Sequence, residues 1–146
     1  MAFQNPSDDV LRQLLSEAKT IAVVGCSDKK DRTSYMIAEA MQRVGYRIIP
    51  VNPIIAGQTV LGEKVAASLQ EIDEPIDIVN VFRRSEDVLP VAQDAVKVNP
   101  TPKVLWLQQG IVNQEAADLA KENGMEVVMD LCIKVIHAIL KPVRSS

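Results

Sequence analysis

Two kinds of apolar spacing alternate along the chain. Short unbroken runs of aliphatic residues stop at turn formers, and between them apolar positions recur every three or four residues. The first run, Thr20-Ile-Ala-Val-Val24, halts at Gly25. Tyr46-Arg-Ile-Ile-Pro-Val51, Ile76-Asp-Ile-Val-Asn-Val-Phe82, Val104-Leu-Trp-Leu107 and Glu126 to Met129 predict four more strands. Helical spacing of Val10, Leu11, Leu14, Leu15 and Ala18 predicts a first helix. Asn5 is its N-cap candidate, Pro6 takes the first helical position, and Asp8 and Asp9 face the positive end of the dipole. Met36, Ile37, Ala40, Met41 and Val44 predict a second helix that Gly45 stops. A short helix is expected over Ala66 to Leu69, in a stretch otherwise read as loop from Asn52 to the turn at Glu74-Pro75. Another helix follows Ser85-Glu86-Asp87 and buries Val88, Val91, Ala92, Ala95 and Val96. The last two run from about Gln114 to Asn123 and from about Leu131 to Leu140.

Strands that read as continuous apolar runs and alternate with helices imply a parallel sheet covered on both faces. The expected fold is therefore α/β: a Rossmann-like, doubly wound sheet of about five strands, in a single domain over residues 1–146. Strand order 3-2-1-4-5 is expected, and Pro50 marks a strand end or an edge-like position.

In such a sheet the C-terminal strand ends share one edge, where ligands bind. Four of these ends carry polar or glycine-containing clusters: Gly25-Cys26-Ser27, Asn52-Pro53, Arg83-Arg84 and Gln108-Gln109-Gly110. Glycine at position 25 lets a phosphate approach backbone N–H groups, and the helix that follows favours an anion at its N-terminus. The dinucleotide fingerprint is broken, because Ser27 and Lys30 stand where G-x-G-x-x-G needs glycine. Asn52 also replaces the acid that holds a ribose diol after the second strand. NAD is thus demoted, while a phosphate-bearing ligand is not.

Composition narrows the classes further. A net charge of −3 and an aromatic content of 3% leave neither a basic stripe nor a stacking platform for nucleic acid. The apolar runs are too short to cross a bilayer, and Met-Ala-Phe-Gln-Asn-Pro has no signal-peptide character, so the cytoplasm is the expected compartment. Cys26 and Cys132 are expected there as free thiols, and with one histidine they form no metal-ligand spacing.

Val24-Gly-Cys-Ser27, Arg32-Thr-Ser34, Val51-Asn-Pro53, Val81-Phe-Arg83, Trp106-Leu-Gln108-Gln-Gly110 and Asp130-Leu-Cys132 follow one another as in the small bacterial CoA-binding proteins. That family resembles the CoA-binding domain of the succinyl-CoA synthetase α-subunit, and the resemblance covers about Thr20 to His137. It implies a Rossmann-like fold that binds coenzyme A with the diphosphate at the first strand–helix turn. Gly25, Ser27, Arg32 and Ser34 are then expected around the diphosphate, and Cys26 is counted among the cofactor-binding residues. Asn52 and Pro53 shape the adenosine side, Phe82 and Arg83 the middle of the groove, and Gln108 and Gly110 approach the pantetheine arm. The synthetase's phosphohistidine belongs to a further domain outside this resemblance. The synthetase also tends to carry a lysine shortly after the Pro53-like position, where this chain has Ile54-Ile55.

Several of these residues have a plain structural reading beside the functional one. Gly25 can end a strand without a ligand, Ser27 can cap a turn, and Arg32 sits in a charge run with Lys29, Lys30 and Asp31. Of the adjacent arginines, Arg83 is expected to face the crevice and Arg84 the solvent. Trp106, inside a strand, reads as core. Cys26 is either a small buried apolar group or a thiol near bound CoA, and Cys132 lies at a helix start that can lower a thiol pKa. His137 has no triad partner and reads as structural. The leading expectation is a stand-alone CoA or acyl-CoA binding protein with no catalytic residues. The alternative is a small NAD(P)- or nucleotide-dependent enzyme using the same crevice, and a regulatory partner protein is a third reading. Apolar helix faces on such sheets commonly support a homodimer.

Overall fold

The computed structural model describes residues 3–143. In chain order the elements are α1 (Asp8–Glu17), β1 (Thr20–Val24), α2 (Thr33–Arg43), β2 (Arg47–Val51), β3 (Thr59–Val60), β4 (Glu63–Lys64), β5 (Ile78–Val81), α3 (Val88–Ala95), β6 (Val104–Leu107), α4 (Gln114–Glu122), β7 (Glu126–Val128) and α5 (Ile133–Leu140). Single 3-10 turns occupy Pro53–Ile55, Leu69–Glu71 and Ser85–Asp87.

Five strands form one parallel sheet in the order β2-β1-β5-β6-β7, and β3 and β4 make a separate antiparallel pair. The expected order 3-2-1-4-5 is therefore corrected: the third sheet strand lies beside β1 and not outside β2. Local hydrogen bonding at β2 explains the difference. Pro50 has no N–H to offer a further strand. Its carbonyl accepts from the Ala66 N–H at 2.9 Å, and the Asn52 N–H donates to the Ala66 carbonyl at 2.9 Å. Val51 and Ala66 thus form an isolated parallel bridge that closes the sheet on that side. The short helix expected over Ala66 to Leu69 is corrected by the same pairing, since Ala66 is extended and the 3-10 turn begins only at Leu69.

Alternation along each strand divides the core. Ile21, Val23, Ile48, Ile78, Val104, Trp106 and Val128 face α1, α2 and α5, together with Leu11, Leu15, Ile37, Met41 and Ile133. Ala22, Val24, Val51, Val79, Val81, Leu105, Leu107 and Val127 face α3 and α4, whose contributions are chiefly alanines: Ala92, Ala95, Ala116, Ala117 and Ala120. Both faces are covered, which is why the strands carry no polar alternation. Each fully buried aliphatic side chain contributes ~1.5–3 kcal/mol.

The start of α1 also differs in detail from expectation. Ser7 is the N-cap, its hydroxyl accepting from the Val10 N–H at 3.3 Å, and the helix begins at Asp8. Asn5 works across the sheet edge instead. Its Nδ2 donates to the Met129 carbonyl at 2.9 Å, and its Oδ1 accepts from the Met129 N–H at 2.8 Å.

Candidate ligand site at the strand ends

Everything at the C-terminal edge follows from the way β1 stops. Gly25 continues the ladder for one bond, its N–H donating to the Val51 carbonyl at 2.8 Å, and then turns with φ +87°. Any side chain there is excluded twice, because a Cβ would collide with the Phe82 carbonyl oxygen as well as strain the backbone. The collision exists because β5 is the neighbour of β1: Phe82 donates its N–H to the Val24 carbonyl at 2.8 Å. The topological switch point therefore lies between Gly25 and Phe82.

Beyond Gly25 the turn is braced by its own hydroxyls. Ser34 is buried in the first turn of α2, and its Oγ accepts from the Ser27 N–H at 3.0 Å. The Ser27 Oγ accepts from the Lys29 N–H at 3.0 Å, and the Arg32 N–H donates to the Lys29 carbonyl at 3.1 Å. Arg32 is the N-cap of α2 but supplies no side-chain cap. The N–H groups of the first turn, on Thr33, Ser34 and Tyr35, thus point out of the helix start without an intrahelical acceptor, at the positive end of its dipole. Gly25, Ser27, Lys29, Arg32, Ser34 and Phe82 line an open depression of about 380 Å³ over this turn.

A second depression, of about 400 Å³, opens beside the first at the same sheet edge, toward α3. Val24, Val51, Pro53, Leu69 and Val91 give it an apolar wall, and Arg83, Asp87 and Asp94 also line it. Among the described arginines, Arg12, Arg43, Arg47 and Arg84 each hold a carboxylate. Arg32 and Arg83 hold none. The two uncommitted guanidinium groups thus belong to the two depressions. A depression of about 320 Å³ at the opposite end of β2 contrasts with them, because its Arg47 is already bonded to both Glu63 and Glu74. That pairing holds the Glu74 carboxyl below the usual carboxylate range.

Expected site residues divide accordingly. Gly25, Ser27, Arg32, Ser34 and Phe82 share the first depression, and Pro53 and Arg83 the second. Asn52 sits between the strand ends as a strap: its Nδ2 donates to the Cys26 carbonyl at 3.0 Å, and its Oδ1 accepts from the Ile54 N–H at 3.0 Å. The side chain of Cys26 is fully buried beneath the turn, which leaves a ligand only its backbone. Gln108 and Gly110 line neither depression. Gln108 is buried, with its Oε1 facing the Asn80 amide and the Ile133 N–H, each at 3.4 Å. The Gly110 N–H donates to Asp130 at 2.6 Å. Lys29, Leu69 and Val91 were not anticipated. Lys29 read as one of a solvated charge run, and the groove walls emerge only when β2 and α3 are brought together.

Burial pushes the Cys26 thiol up from an ordinary 9.0 to about 11. Well below pH 9.0 the thiol is protonated whether the chain is folded or not, so stability does not depend on it. As pH rises toward about 11 the unfolded chain ionises first, and stability falls. Urea unfolding at increasing pH is expected to show a steeper loss for the wild type than for Cys26→Ala, and equal slopes would contradict it. Cys132, half-buried at the start of α5, is the other free cysteine. His137 packs edge-to-face on Tyr46, with ring centroids 5.7 Å apart. Among the described residues, no group of three His, Cys, Asp or Glu side chains could hold a metal ion, and no helix is long and apolar enough to cross a membrane.

Comparison with known proteins shows the family and the fold. The family model described as CoA binding domain matches residues 19–138. The Bacillus subtilis (strain 168) protein YneT, itself uncharacterized, is 54% identical over 139 residues, covering 95% of this chain and 100% of YneT. The ADP-forming 4-hydroxybutyrate–CoA ligase of Nitrosopumilus maritimus (strain SCM1) is 27% identical over 139 residues, which span 88% of this chain but only 19% of the ligase. Among solved structures, cell-free ID.343 from Thermus thermophilus superposes with a TM-score of 0.88 at 37% identity, over 92% of this chain and 99% of that one. The matched segment contains every strand of the five-stranded sheet and the whole Gly25 turn, and on that extent of agreement the chain belongs to the CoA-binding domain family.

Proposed function

We propose that this chain is a stand-alone coenzyme A or acyl-CoA binding protein without catalytic machinery of its own. The observation that carries the reading is the pairing of two depressions at the Gly25–Phe82 switch point, each with an arginine that has no acid partner. In this reading the diphosphate lies over the first turn of α2, where N–H groups lack acceptors and Arg32 supplies charge. Adenosine lies toward Pro53 and the apolar walls beside it, with Phe82 and Arg83 between. The pantetheine arm then passes toward Gln108 and Gly110, which present packed surface and turn backbone because their polar groups already have protein partners. YneT, matched over its whole length, shows that a relative of this extent exists outside a larger ligase chain. A purely binding role is supported by the chemistry near the turn. Cys26 is buried with a raised pKa, and the chain's one histidine lies against Tyr46.

Calorimetric titration with CoA, acetyl-CoA, NADH and NADPH tests this directly. Heat with a CoA species and none with the nicotinamide nucleotides is expected. No heat or thermal shift with any CoA species, or tighter binding of NAD(P)H, would overturn it. Arg32→Ala is expected to weaken CoA about tenfold, the loss of one charge-assisted contact. An unchanged affinity would show that the diphosphate lies elsewhere.

A further inference from the structure

At the end of β2 stands an asparagine where many dinucleotide-binding sheets place an acid that takes up the adenosine ribose diol. The hydrogen bonds around Asn52 explain why an acid does not suit this turn. One amide serves two backbone groups of opposite polarity: Nδ2 donates to the Cys26 carbonyl and Oδ1 accepts from the Ile54 N–H, each at 3.0 Å. A carboxylate could accept from Ile54 but could not donate to Cys26, and would set oxygen against oxygen. The strap therefore requires an amide. Because the amide carries no charge, the half-exposed side chain presents no anionic acceptor to a diol and no negative charge to a phosphate.

We infer that Asn52 is a specificity-determining residue, which favours an adenosine ribose bearing a 3′-phosphate over one with a free 2′,3′-diol by placing no carboxylate at the end of β2. The inference rests on the CoA reading above, in which adenosine lies beside Asn52 and Pro53. A carboxylate a few ångströms from a phosphate costs about 1 kcal/mol per charge pair in water and several at the effective dielectric of a protein surface. The same carboxylate would be a welcome acceptor for a diol. Position 52 thus sorts the two ribose classes by charge.

CoA and 3′-dephospho-CoA differ only in that phosphate, so titrations of both with wild type, Asn52→Asp and Asn52→Ala isolate the effect. Asn52→Asp is expected to weaken CoA ~tenfold more than it weakens dephospho-CoA. Asn52→Ala, which cuts the strap without adding charge, is expected to weaken the two by the same factor. Should Asn52→Asp fail to fold, Ile54→Asp takes its place. Ile54 is 84% exposed, and a carboxylate there leaves the strap intact while charging the same turn. It is expected to show the same CoA-selective loss. Equal effects on both ligands in the aspartate variants would overturn the inference while leaving the CoA reading standing. A wild type that binds neither ligand would instead remove the CoA reading, and the inference with it.

Discussion

Gly25→Ala is expected to cost roughly 2–4 kcal/mol of stability and to abolish CoA binding in the same protein. Two independent penalties act at this position. The backbone sits at φ +87°, where an L side chain is strained, and the added Cβ meets the Phe82 carbonyl oxygen, which belongs to the neighbouring strand end. Relief requires β1 and β5 to separate at the switch point, and that movement displaces the turn that positions Ser27 and the start of α2. Gly110→Ala is the internal control. It has a comparable φ of +85° but nothing within 4 Å of its added Cβ, so only the conformational strain of ~1–2 kcal/mol is expected. Urea unfolding of the two variants measures the difference. Equal losses would mean that the collision is relieved without cost, and a Gly25→Ala protein that still bound CoA normally would place the ligand away from this turn.

Trp106→Ala is expected to lose ~3–5 kcal/mol, the range for removing a large aromatic from a packed core. Its side chain is fully buried in the interior strand β6, and its Nε1 donates to the Leu131 carbonyl at 2.8 Å just before α5. Trp106→Phe keeps most of the apolar contact but leaves that carbonyl without its donor, for an expected loss of ~1–3 kcal/mol. Since no part of Trp106 reaches the surface, Trp106→Phe is expected to keep CoA affinity within about twofold under conditions where it is folded. A large selective loss of affinity, with stability intact, would instead give Trp106 a role at the ligand.

The fold was legible in the sequence to the extent that it depends on burial. Runs such as Ile21 to Val24 and Val104 to Leu107 are apolar at every position because each is packed on both faces, and that property survives without any knowledge of neighbours. Strand order depends on a different kind of information. Both doubly wound orders accept the same five apolar runs, and the deciding contact is the bridge of Val51 to Ala66, formed by a segment with no strong spacing of its own. The same division holds at the site. Gly25 and Ser27 could be singled out because they follow a strand directly, and Arg32 because it stands next to the anion expected at the turn. Ser34, Asn52 and Gln108 were legible as polar residues near strand ends but not as braces, because their partners at Ser27, Cys26 and Ile133 are set by tertiary packing. Lys29 was hidden for the opposite reason: a basic residue among other charges has no local signature that separates a ligand contact from solvent.

The two margins of the sheet have something in common beyond their place in the topology. On one side Ala66 takes the carbonyl of Pro50 and the N–H of Asn52, and on the other Asn5 takes both backbone groups of Met129. Each closure is made by a few residues of extended chain or by one side chain. Its importance lies in what it prevents: an open margin of a parallel sheet is a template on which a second molecule can add its own strand. A change at Asn5 that frees the Met129 backbone is therefore expected to raise the tendency to aggregate, as light scattering on warming would measure, and unchanged scattering would contradict it.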